Sequence, residues 1–254
     1  MPILSRRSEA PSRTSGTEAS LDLSAEWRQL ISRAAGDFFF FQNRGYPRSA
    51  ALEWVGNRYR LVHLDRMLLH RGVSSAEAAL RRRGKRCRGA VWRAQRLVVD
   101  GHNVHITVES ALLGRPLLLG NDEALRDLAG ESAKFRFREV SALAAEAIFR
   151  FLKELRPAEV LFLFDAPMSH SGALSALYRR HMRALGIEGD ARAVPVPERE
   201  FPYRRCVVAS SDSAVMDASC QWLDLARGVL EMSGSLELCA DFSSLICERS
   251  AVGL

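Results

Sequence analysis

The stretch RLVVDG at residues 96–101 is a short apolar run that ends in an Asp-Gly pair. Such a run predicts a buried strand that passes into a turn. Two later stretches, VLFLFD at 160–165 and CVVASSD at 206–212, have the same form and also end in aspartate. The chain therefore contains three strong strand signals, and a carboxylate follows each of them.

Helical and strand-like segments alternate through the rest of this part of the chain. The apolar spacing predicts helices at about 141–155, 172–185 and 214–223, and weaker strands at 191–196 and 236–242. Alternation of this kind favours an α/β fold, in which a parallel sheet is flanked by helices.

The segment that precedes these strands has helical rather than strand-like spacing. Trp27, Ile31 and Phe38 lie on one face of the first predicted helix, and further short helices are expected before residue 84. Two of them, with limbs at 52–59 and 65–70, form a possible helix-turn-helix. Because any small helical bundle shows the same pattern, the sequence does not distinguish the two.

These patterns predict a domain organisation with four parts. Residues 1–20 are rich in Ser, Arg, Glu, Pro and Thr and are expected to form a disordered tail. Residues 21–84 are assigned to a small all-α domain, residues 85–95 to a basic linker, and residues 96–254 to the α/β domain.

The net charge of +6 is unevenly distributed along the chain. Residues 1–90 carry 17 Lys and Arg against 8 Asp and Glu, a net charge of +9, whereas residues 91–254 carry 19 against 22, a net charge of −3. This asymmetry indicates contact with a polyanion by the first part, although arginines on solvated helix faces give the same count. The densest basic run, which we expect to contact the nucleic acid backbone, consists of Arg81, Arg82, Arg83, Lys85, Arg86 and Arg88. The alternative interpretation of this run is a solvated linker.

Composition excludes several classes of protein. No apolar run approaches the roughly 18 residues that a membrane-spanning helix needs, and the first residues lack the apolar core of a secretory signal. Five cysteines without a C-x-x-C pair predict reduced thiols and a cytoplasmic protein. The phosphate-binding patterns G-x-x-x-x-G-K-[ST] and G-x-G-x-x-G are absent, which disfavours a nucleotide-binding enzyme or phosphatase.

The three aspartates that end the predicted strands are Asp100, Asp165 and Asp212. In an open parallel sheet the functional crevice lies at the carboxyl ends of the strands, so we expect these carboxylates to converge there. A cluster of carboxylates favours a divalent cation, Mg or Mn, which can activate water for phosphate hydrolysis. For any single aspartate, the alternative is capping of the following helix.

Three motifs in chain order carry a resemblance to known nucleases: VDGHNV at 99–104, FDAP at 164–167 and ASSDS at 209–213. They resemble the strand ends of PIN-like and NYN nuclease domains, in which strands end in Asp-Gly-x-Asn, Asp-Ala and Ser-Asp. From about Ala25 onward, the chain is similar to an uncharacterised prokaryotic family that joins a helical domain of unknown function to a PIN-like domain. The segments that carry this wider similarity are NRGYP at 43–47, VGNRY at 55–59, TVESALLGRP at 107–116 and GDAR at 189–192.

The resemblance implies a PIN-like Rossmannoid sheet and a metal-dependent nuclease that hydrolyses RNA. It implies metal-ligand roles for Asp100, Asp165 and Asp212, and for Asn103 a role in orienting a ligand or the Asp100 carboxylate. Such nucleases usually supply a fourth acid, for which the candidates are Glu198 and Asp190, and Asp217 could also reach the site, since it follows Asp212 by about one helical turn. The alternative from another class is a catalytically weak or inactive PIN-like protein that binds nucleic acid or regulates.

Other residues admit weaker interpretations. His102 and His105 flank Asn103 but have no evident carboxylate partner in the sequence, so a histidine metal site is disfavoured. Ser169, Ser171 and Gly172 follow Asp165 and fit either a phosphate site at a helix start or an ordinary turn. For Glu109, an ion pair with Arg115 is the alternative to a metal role.

Overall fold

A computed structural model describes residues 23–89, 92–128 and 139–246. The predicted tail at 1–20 and Cys247 lie outside these residues. Four helices occupy the first range: α1 (Ala25–Asn43), α2 (Arg48–Arg58), α3 (His63–Gly72) and α4 (Ala76–Lys85). None of the helices in the described chain is long and apolar enough to cross a membrane.

Capping and apolar spacing explain the first helix. The Ser24 hydroxyl accepts a hydrogen bond from the Trp27 amide at the start of α1. The predicted stripe is confirmed, since Trp27, Ile31 and Phe38 are buried. Phe40, however, is exposed, because consecutive residues of a helix cannot share one face. The structure places helices at both limbs of the possible helix-turn-helix, in α2 and α3.

The main sheet has five parallel strands in the order β5-β4-β1-β6-β7. The two central strands, β1 and β4, end at Asp100 and Asp165 as predicted. The bounds are β1 (Arg96–Asp100), β4 (Glu159–Asp165), β5 (Gly189–Val194), β6 (Val207–Ala209) and β7 (Trp222–Leu223).

Helices flank this sheet. Leu97 and Val99 point into the larger core, and Val98 between them packs on the other face with Val208 and Val215. This alternation is the period of a strand that is buried on both sides. The helices are α5 (Gly101–Leu112), α6 (Glu139–Leu155), α7 (Ser171–Leu185), α8 (Pro197–Glu200), α9 (Ser213–Ala218) and α10 (Leu225–Ser233). The architecture is therefore α/β, with a parallel sheet flanked by helices and a helical region before it.

A second, smaller sheet lies between the main sheet and the helical region. It has the order β3-β2-β8, with β2 (Leu117–Leu119), β3 (Leu125–Asp127) and β8 (Ala240–Asp241). Leu118 of β2 and Phe242 after β8 share one apolar core with Phe38 and Leu68 of the helical region. The helical region therefore packs directly on the α/β part of the chain.

Several predicted bounds were wrong at the carboxyl-terminal side. The helix predicted at 214–223 ends at Ala218, and Trp222 belongs to the edge strand β7. The strand predicted at 236–242 is reduced to two residues in the second sheet, and β5 begins at Gly189 rather than at Ala191. Short strands at a sheet edge carry little periodicity, so the sequence pattern does not define them.

The described part of the segment predicted as a linker, residues 85–89, is attached to the main sheet. Arg86 forms a bridge with Trp222, and the Cys87 amide donates to the Trp222 carbonyl at 2.7 Å. The Trp222 indole Nε1 in turn donates to the Arg82 carbonyl at 2.7 Å. The chain therefore passes from the helical region to the sheet through direct hydrogen bonds to an edge strand.

Candidate functional site

Strand order determines where a crevice opens. From β1 the sheet extends through β4 and β5 on one side and through β6 and β7 on the other. The point at which strand order reverses, between β1 and β6, is where open α/β sheets bind ligands, outside the carboxyl ends of the strands. Asp100 ends β1 and Asp212 follows β6, so two of the predicted aspartates flank this point.

Asp100 is fixed by hydrogen bonds from both sides of the crevice. Its Oδ1 accepts from the Asn103 amide at 3.3 Å, which caps α5, and its Oδ2 accepts from the Ser210 hydroxyl at 2.9 Å. The Ser210 hydroxyl also accepts from the Asp212 amide at 3.0 Å. One serine therefore links the ends of β1 and β6.

Asn103 makes a second link across the same crevice. Its Oδ1 accepts from both the amide and the hydroxyl of Ser211, at 2.9 and 3.1 Å. Its backbone amide, rather than its side chain, contacts the Asp100 carboxylate. The sequence motif Asp-Gly-x-Asn therefore acts locally as a helix cap and as a clamp on the loop after β6.

Asp212 combines capping with exposure. Its Oδ1 accepts from the amides of Ala214 and Val215, at 2.8 and 3.0 Å, and so caps α9. The residue remains exposed at the edge of the crevice. Helix capping was the alternative interpretation of a single aspartate. Asp212 both caps α9 and lies at the shared edge, so the two interpretations apply to the same residue.

Asp165 and Glu198 complete the acidic edge. Asp165 ends β4, beside β1, and Glu198 lies on α8, which follows the carboxyl end of β5. Burial raises the pKa of Asp165, and the charge of Glu198 raises it further. Of the two candidates for a fourth acid, Glu198 is therefore the one at this edge.

The electrostatic cost of this arrangement falls mainly on Asp100. Burial raises the pKa of its carboxyl to about 7, the hydrogen bonds from Ser210 and Asn103 oppose the rise, and the charges of Asp212 and Glu198 add to it. A carboxyl with such a pKa beside other acids marks a candidate functional site.

Tyr203 also belongs to this edge, although no sequence motif predicts it. Its hydroxyl donates to the Glu198 carbonyl at 2.8 Å. Burial raises the pKa of the phenol, as do the charges of Glu198, Asp212 and Asp100. Tyr203 lies in a loop between α8 and β6, which has no periodic pattern.

Two of the other predicted acids have different surroundings. Asp190 lies near the amino end of β5, opposite the crevice, where it pairs with Arg192, so the structure does not bring it to the acidic edge. Asp217 on α9 accepts hydrogen bonds from Arg82 and Arg81. Burial raises the pKa of Asp217, but these guanidinium groups lower it overall.

The basic run at 81–88 is held largely by the protein's own acids. Arg83, Arg86 and Arg88 all pair with Glu123, at 3.3, 3.0 and 2.6 Å. Arg82 is buried and pairs with Asp122 and Asp217, and the Lys85 ammonium donates to the Asp217 carbonyl at 2.6 Å. The run therefore joins the helical region to the α/β part, and its predicted contact with nucleic acid stays a prediction.

The two histidines are interior groups. His102 Nδ1 accepts from the Asp165 amide at 2.9 Å, and burial, followed by the charge of His105, lowers the pKa of His102 to about 4. His105 contacts the Tyr178 hydroxyl at 2.8 Å and Glu109 at 3.3 Å. Glu109 is thus the carboxylate partner of His105, four residues away on the same helix face.

The residues predicted at the start of α7 form a turn. The Ser171 hydroxyl donates to the Ala166 carbonyl at 3.2 Å. Helix α7 begins at Ser171 after a left-handed His170, without a side-chain cap. The hydroxyl is therefore directed to the backbone of the preceding loop.

A cleft of about 670 Å³ opens between the helical region and the end of β6. On the α/β side, Arg126 of β3 donates to the Ser211 carbonyl at 2.8 Å and makes a two-point contact with Asp122, 2.8 Å at each nitrogen. Across the cleft lie Arg48 of α2 and Arg71 of α3. No motif or periodic pattern predicts Arg48, Arg71 or Arg126 as site residues, since only tertiary packing brings them to this cleft.

The donor set at the edge fits a hard divalent cation in chemistry. Within residues 23–89, 92–128 and 139–246, no three His, Cys, Asp or Glu side chains are spaced as a ready-made metal cage. Mg²⁺ does not require one, because it commonly binds through one or two carboxylates, several waters and substrate phosphates. Asp100 and Asp212 provide such a pair of carboxylates, and the pKa of Asp100 is raised first by burial and then by the charges of Asp212 and Glu198.

Comparisons with known proteins place the chain among uncharacterised families. Residues 30–85 match a family described as a protein of unknown function, DUF434, and residues 90–228 match one described as a domain of unknown function, DUF5616. The chain is 31% identical over 186 residues to the uncharacterized protein MJ0935 of Methanocaldococcus jannaschii, which covers 73% of this chain and 88% of that protein. No solved structure gives a significant match. The chain therefore belongs to the DUF5616 family and carries a DUF434 region before that domain.

Proposed function

We propose that this protein is a divalent-metal-dependent nuclease of the PIN-like kind that hydrolyses RNA phosphodiester bonds. The observation that carries the proposal is the acidic edge, where Asp100, Asp165, Asp212 and Glu198 meet at the carboxyl ends of neighbouring parallel strands. The position of two of them at the reversal of strand order is where such sheets hold ligands.

The order of the strands in the sheet, as well as the motifs at the strand ends, supports the PIN-like assignment. When the five strands of the main sheet are numbered in chain order, they lie side by side in the order 3-2-1-4-5, which is a Rossmann-type arrangement. The motif Asp-Gly-x-Asn ends the first of these strands, Asp-Ala ends the second, and Ser-Asp follows the fourth. Sheet order and motif order therefore agree.

Each residue has a distinct part in the proposed site. Asp100 and Asp212 would hold the cation, and Asp165 and Glu198 would contribute negative charge beside it. When bound, a divalent ion lowers the pKa of a water and stabilises negative charge on the phosphate. Ser210 and Asn103 fix the two strand ends against each other, so that the aspartates keep their relative position.

The test is cleavage of mixed single-stranded and structured RNA by the full-length protein in Mg²⁺ or Mn²⁺. We expect Asp100→Asn and Asp212→Asn each to lower the rate by about 100-fold or more, the scale on which loss of one electrostatic group acts in an active site. Asp190→Asn, the same change at the opposite edge of the sheet, is the matched control and is expected to cleave normally. Cleavage that persists in EDTA or in both edge variants would contradict the proposal.

One observation favours a second candidate, a PIN-like protein that binds RNA without cleaving it. The described residues contain no ready-made group of three metal ligands, and the pKa of Asp100 near 7 disfavours its ionised form. Folded wild-type protein that binds RNA in a salt-dependent manner but cleaves none in any metal would support this candidate and exclude the nuclease.

A further inference from the structure

The cleft beside the acidic edge has two chemically different walls. The wall on the α/β side presents Asn103, Ser211 and Asp212, whereas the wall on the helical side presents cationic and imidazole groups. The helical wall is contributed by α2 and α3 through Arg48, His63, His70 and Arg71. Positive charge therefore faces the Asp212 carboxylate across a space that a ligand can enter.

Two other arginines in this cleft are already neutralised. Arg82 and Arg126 are buried and share Asp122, and Arg82 also pairs with Asp217. Both guanidinium groups are thus paired with carboxylates, of which Asp217 also pairs with Arg81. Any surplus charge in the cleft must come from the helical wall.

Arg48 is a cation that contacts no carboxylate among the residues that the structure describes. Its guanidinium donates to the Gln42 side chain and to the His70 carbonyl, and it lies 5.3 Å from the centre of the Phe38 ring. Its pKa is lowered to about 10, first by burial and then by the charges of Arg82 and Arg126, while the charge of Asp122 opposes the shift. Neutral groups thus hold the guanidinium in place, and the opposite charge that acts on it, Asp122, makes no direct contact with it, an arrangement that favours an anion.

Arg71 has spare donors on the same wall. Its Nη2 lies 3.9 Å from Asp127 Oδ2, which is long for an ion pair. Its Nε is buried and has no hydrogen-bond partner among the residues that the structure describes. A buried N–H of this kind is costly unless it receives an acceptor.

The positive wall continues away from the acidic edge. A neighbouring groove of about 570 Å³ is lined by Arg48, His70 and Arg66, together with Glu53. Arg66 likewise bonds to neutral groups, the Leu61 carbonyl at 3.0 Å and the Asn57 side chain at 2.9 Å. A row of arginines therefore leads from the carboxylates along the surface of α2 and α3.

We propose that this wall, through Arg48 and Arg71 and continuing to Arg66, binds the phosphates of a single RNA strand next to the bond that is cut. The proposal deepens the proposed function and rests on it for the identity of the polyanion. A cleft of about 670 Å³ has the size of a pocket for a small ligand and accommodates a strand rather than a duplex. Its described lining has no Phe, Tyr or Trp on which bases would stack, so the contacts are to the backbone and independent of base sequence.

The experiment measures binding of a fluorescein-labelled single-stranded RNA to the full-length protein by anisotropy, in EDTA, over a series of salt concentrations. We expect Arg48→Gln and Arg71→Gln each to weaken binding by about tenfold, as loss of a charge-assisted hydrogen bond does. Each variant should reduce the slope of log affinity against log salt by about one, equally for RNAs of different sequence. Arg96→Gln, at the amino end of β1 on the opposite edge of the sheet, is the matched control and should bind as wild type.

One further variant and one further measurement distinguish loss of RNA binding from loss of the fold. Arg48→Lys keeps the charge and tests the fork of the guanidinium, and circular dichroism of each variant shows whether the fold is retained. Wild-type affinity and salt slope in both folded Gln variants would overturn the phosphate wall, even if the protein cleaves RNA. Loss of binding in the same variants of a protein that never cleaves RNA would support the wall and reject the nuclease.

Inorganic phosphate and a duplex RNA of the same sequence show whether the cleft binds a single strand, a duplex or a free phosphate ion. We expect the duplex to bind more weakly than the single strand and millimolar phosphate to compete only partly, because one ion occupies one position of the row. Tighter binding of the duplex, or no binding of any RNA by the wild type, would overturn the proposal.

Discussion

At the scale of single residues, one buried charge network connects the two halves of the molecule to the acidic edge. Asp122 is 1% exposed and lies between Arg82 of α4 and Arg126 of β3. Arg126 in turn donates to the carbonyl of Ser211, the residue before Asp212. Asp122 therefore supports the loop that positions one of the proposed metal ligands.

Asp122→Asn is expected to lower the free energy of unfolding by about 3–5 kcal/mol at pH 7, because it leaves two buried guanidinium groups without their shared carboxylate. Burial alone raises the pKa of Asp122, but the charge and hydrogen bonds of Arg126 and the charge of Arg82 lower it to about 2. A lowered pKa gives stability that is present above the unfolded value near 4 and is lost as the pH falls through about 2. Urea unfolding at pH 7 and pH 3 measures this.

The difference between wild type and Asp122→Asn should therefore shrink from pH 7 to pH 3. Asp241→Asn, a change at an exposed aspartate of β8, is the control for the loss of one negative charge. A difference that is the same at both pH values would show that the ion pairs of Asp122 do not contribute to stability.

The carboxyl of Asp100 is expected to have the opposite effect on the pH dependence of stability to that of Asp122. Because burial raises its pKa to about 7, the folded state holds a proton that the unfolded state releases near pH 4, and stability falls as the pH rises between these values. Asp100→Asn should therefore stabilise the metal-free protein at pH 8, by at most about 4 kcal/mol since one pKa unit corresponds to about 1.4 kcal/mol. Thermal unfolding in EDTA at pH 8 and pH 5 measures the gain, which should be small at pH 5.

Mg²⁺ gives the complementary outcome for the same residue. A cation that binds the ionised carboxylate should raise the melting temperature of wild type at pH 8 and leave that of Asp100→Asn unchanged. If Asp100→Asn were less stable than wild type at pH 8 in EDTA, the carboxylate would not be the strained group that the proposed site requires.

The residues of the edge differ in how far the sequence predicts them. Asp100, Asp165 and Asp212 follow short apolar runs that predict buried strands, and the parallel arrangement of such strands places their ends at one edge. Tyr203 and Arg48 lie in a loop and at a helix start in distant parts of the chain, and only tertiary packing brings them near the same crevice. Strand ends are therefore predictable from local pattern, whereas the cationic side of the cleft is not.

At the scale of elements, the junction of β1 and α5 depends on Gly101. A Cβ at this position would lie 2.5 Å from the Phe164 ring and 2.9 Å from the Leu163 carbonyl. Phe164 is fully buried and packs against Tyr178, so it has little room to move. The Asp-Gly pair of the sequence is thus required by the close approach of α5 to β4.

Gly101→Ala is expected to lower the free energy of unfolding by about 1–3 kcal/mol, the usual cost of overpacking a core. It should also slow RNA cleavage, because α5 carries the Asn103 clamp on the acidic edge. Gly172→Ala is the matched control, since a Cβ at that helical position meets nothing within 4 Å, and it should be neutral or stabilise by up to about 1 kcal/mol. Urea unfolding measures both; equal stability of the two variants would contradict the role of Gly101.

Prediction of elements succeeded in proportion to their length. The strands at 96–100 and 159–165 and the helix at 139–155 have clear periodicity and were predicted within a few residues. In the second sheet, β2 and β3 were missed because they have three residues each, too few for a pattern, and of the strand predicted at 236–242 only the two residues of β8 are paired. The pairing of β2 with β8 also joins Leu118 to Ala240, residues that are too far apart in the chain for a local pattern to predict the contact.

At the scale of the whole molecule, the helical region and the α/β part share a core. The second sheet provides the common surface, since Leu118, Cys239 and Phe242 pack with apolar residues of α1 and α3. Trp222 and Arg82 add a hydrogen bond between the edge strand and α4. The uneven charge of the sequence fits this arrangement, because much of the basic run is paired with acids of the α/β part.

The two parts should therefore unfold together. We expect hydrogen exchange in increasing urea to show amides of α1 and α3 losing protection at the same concentration as amides of β1 and β4. Phe242→Ala, which removes a ring from the shared core, should lower the free energy of unfolding by about 3–5 kcal/mol and shift both sets equally. Ile148→Val in α6, remote from that surface, is the reciprocal change and should shift both sets by about 1 kcal/mol. If the helical amides of Phe242→Ala instead exchange at lower urea while those of the sheet are unchanged, the cleft wall and the acidic edge belong to separate folding units. The phosphate wall could then not keep a fixed distance from the carboxylates.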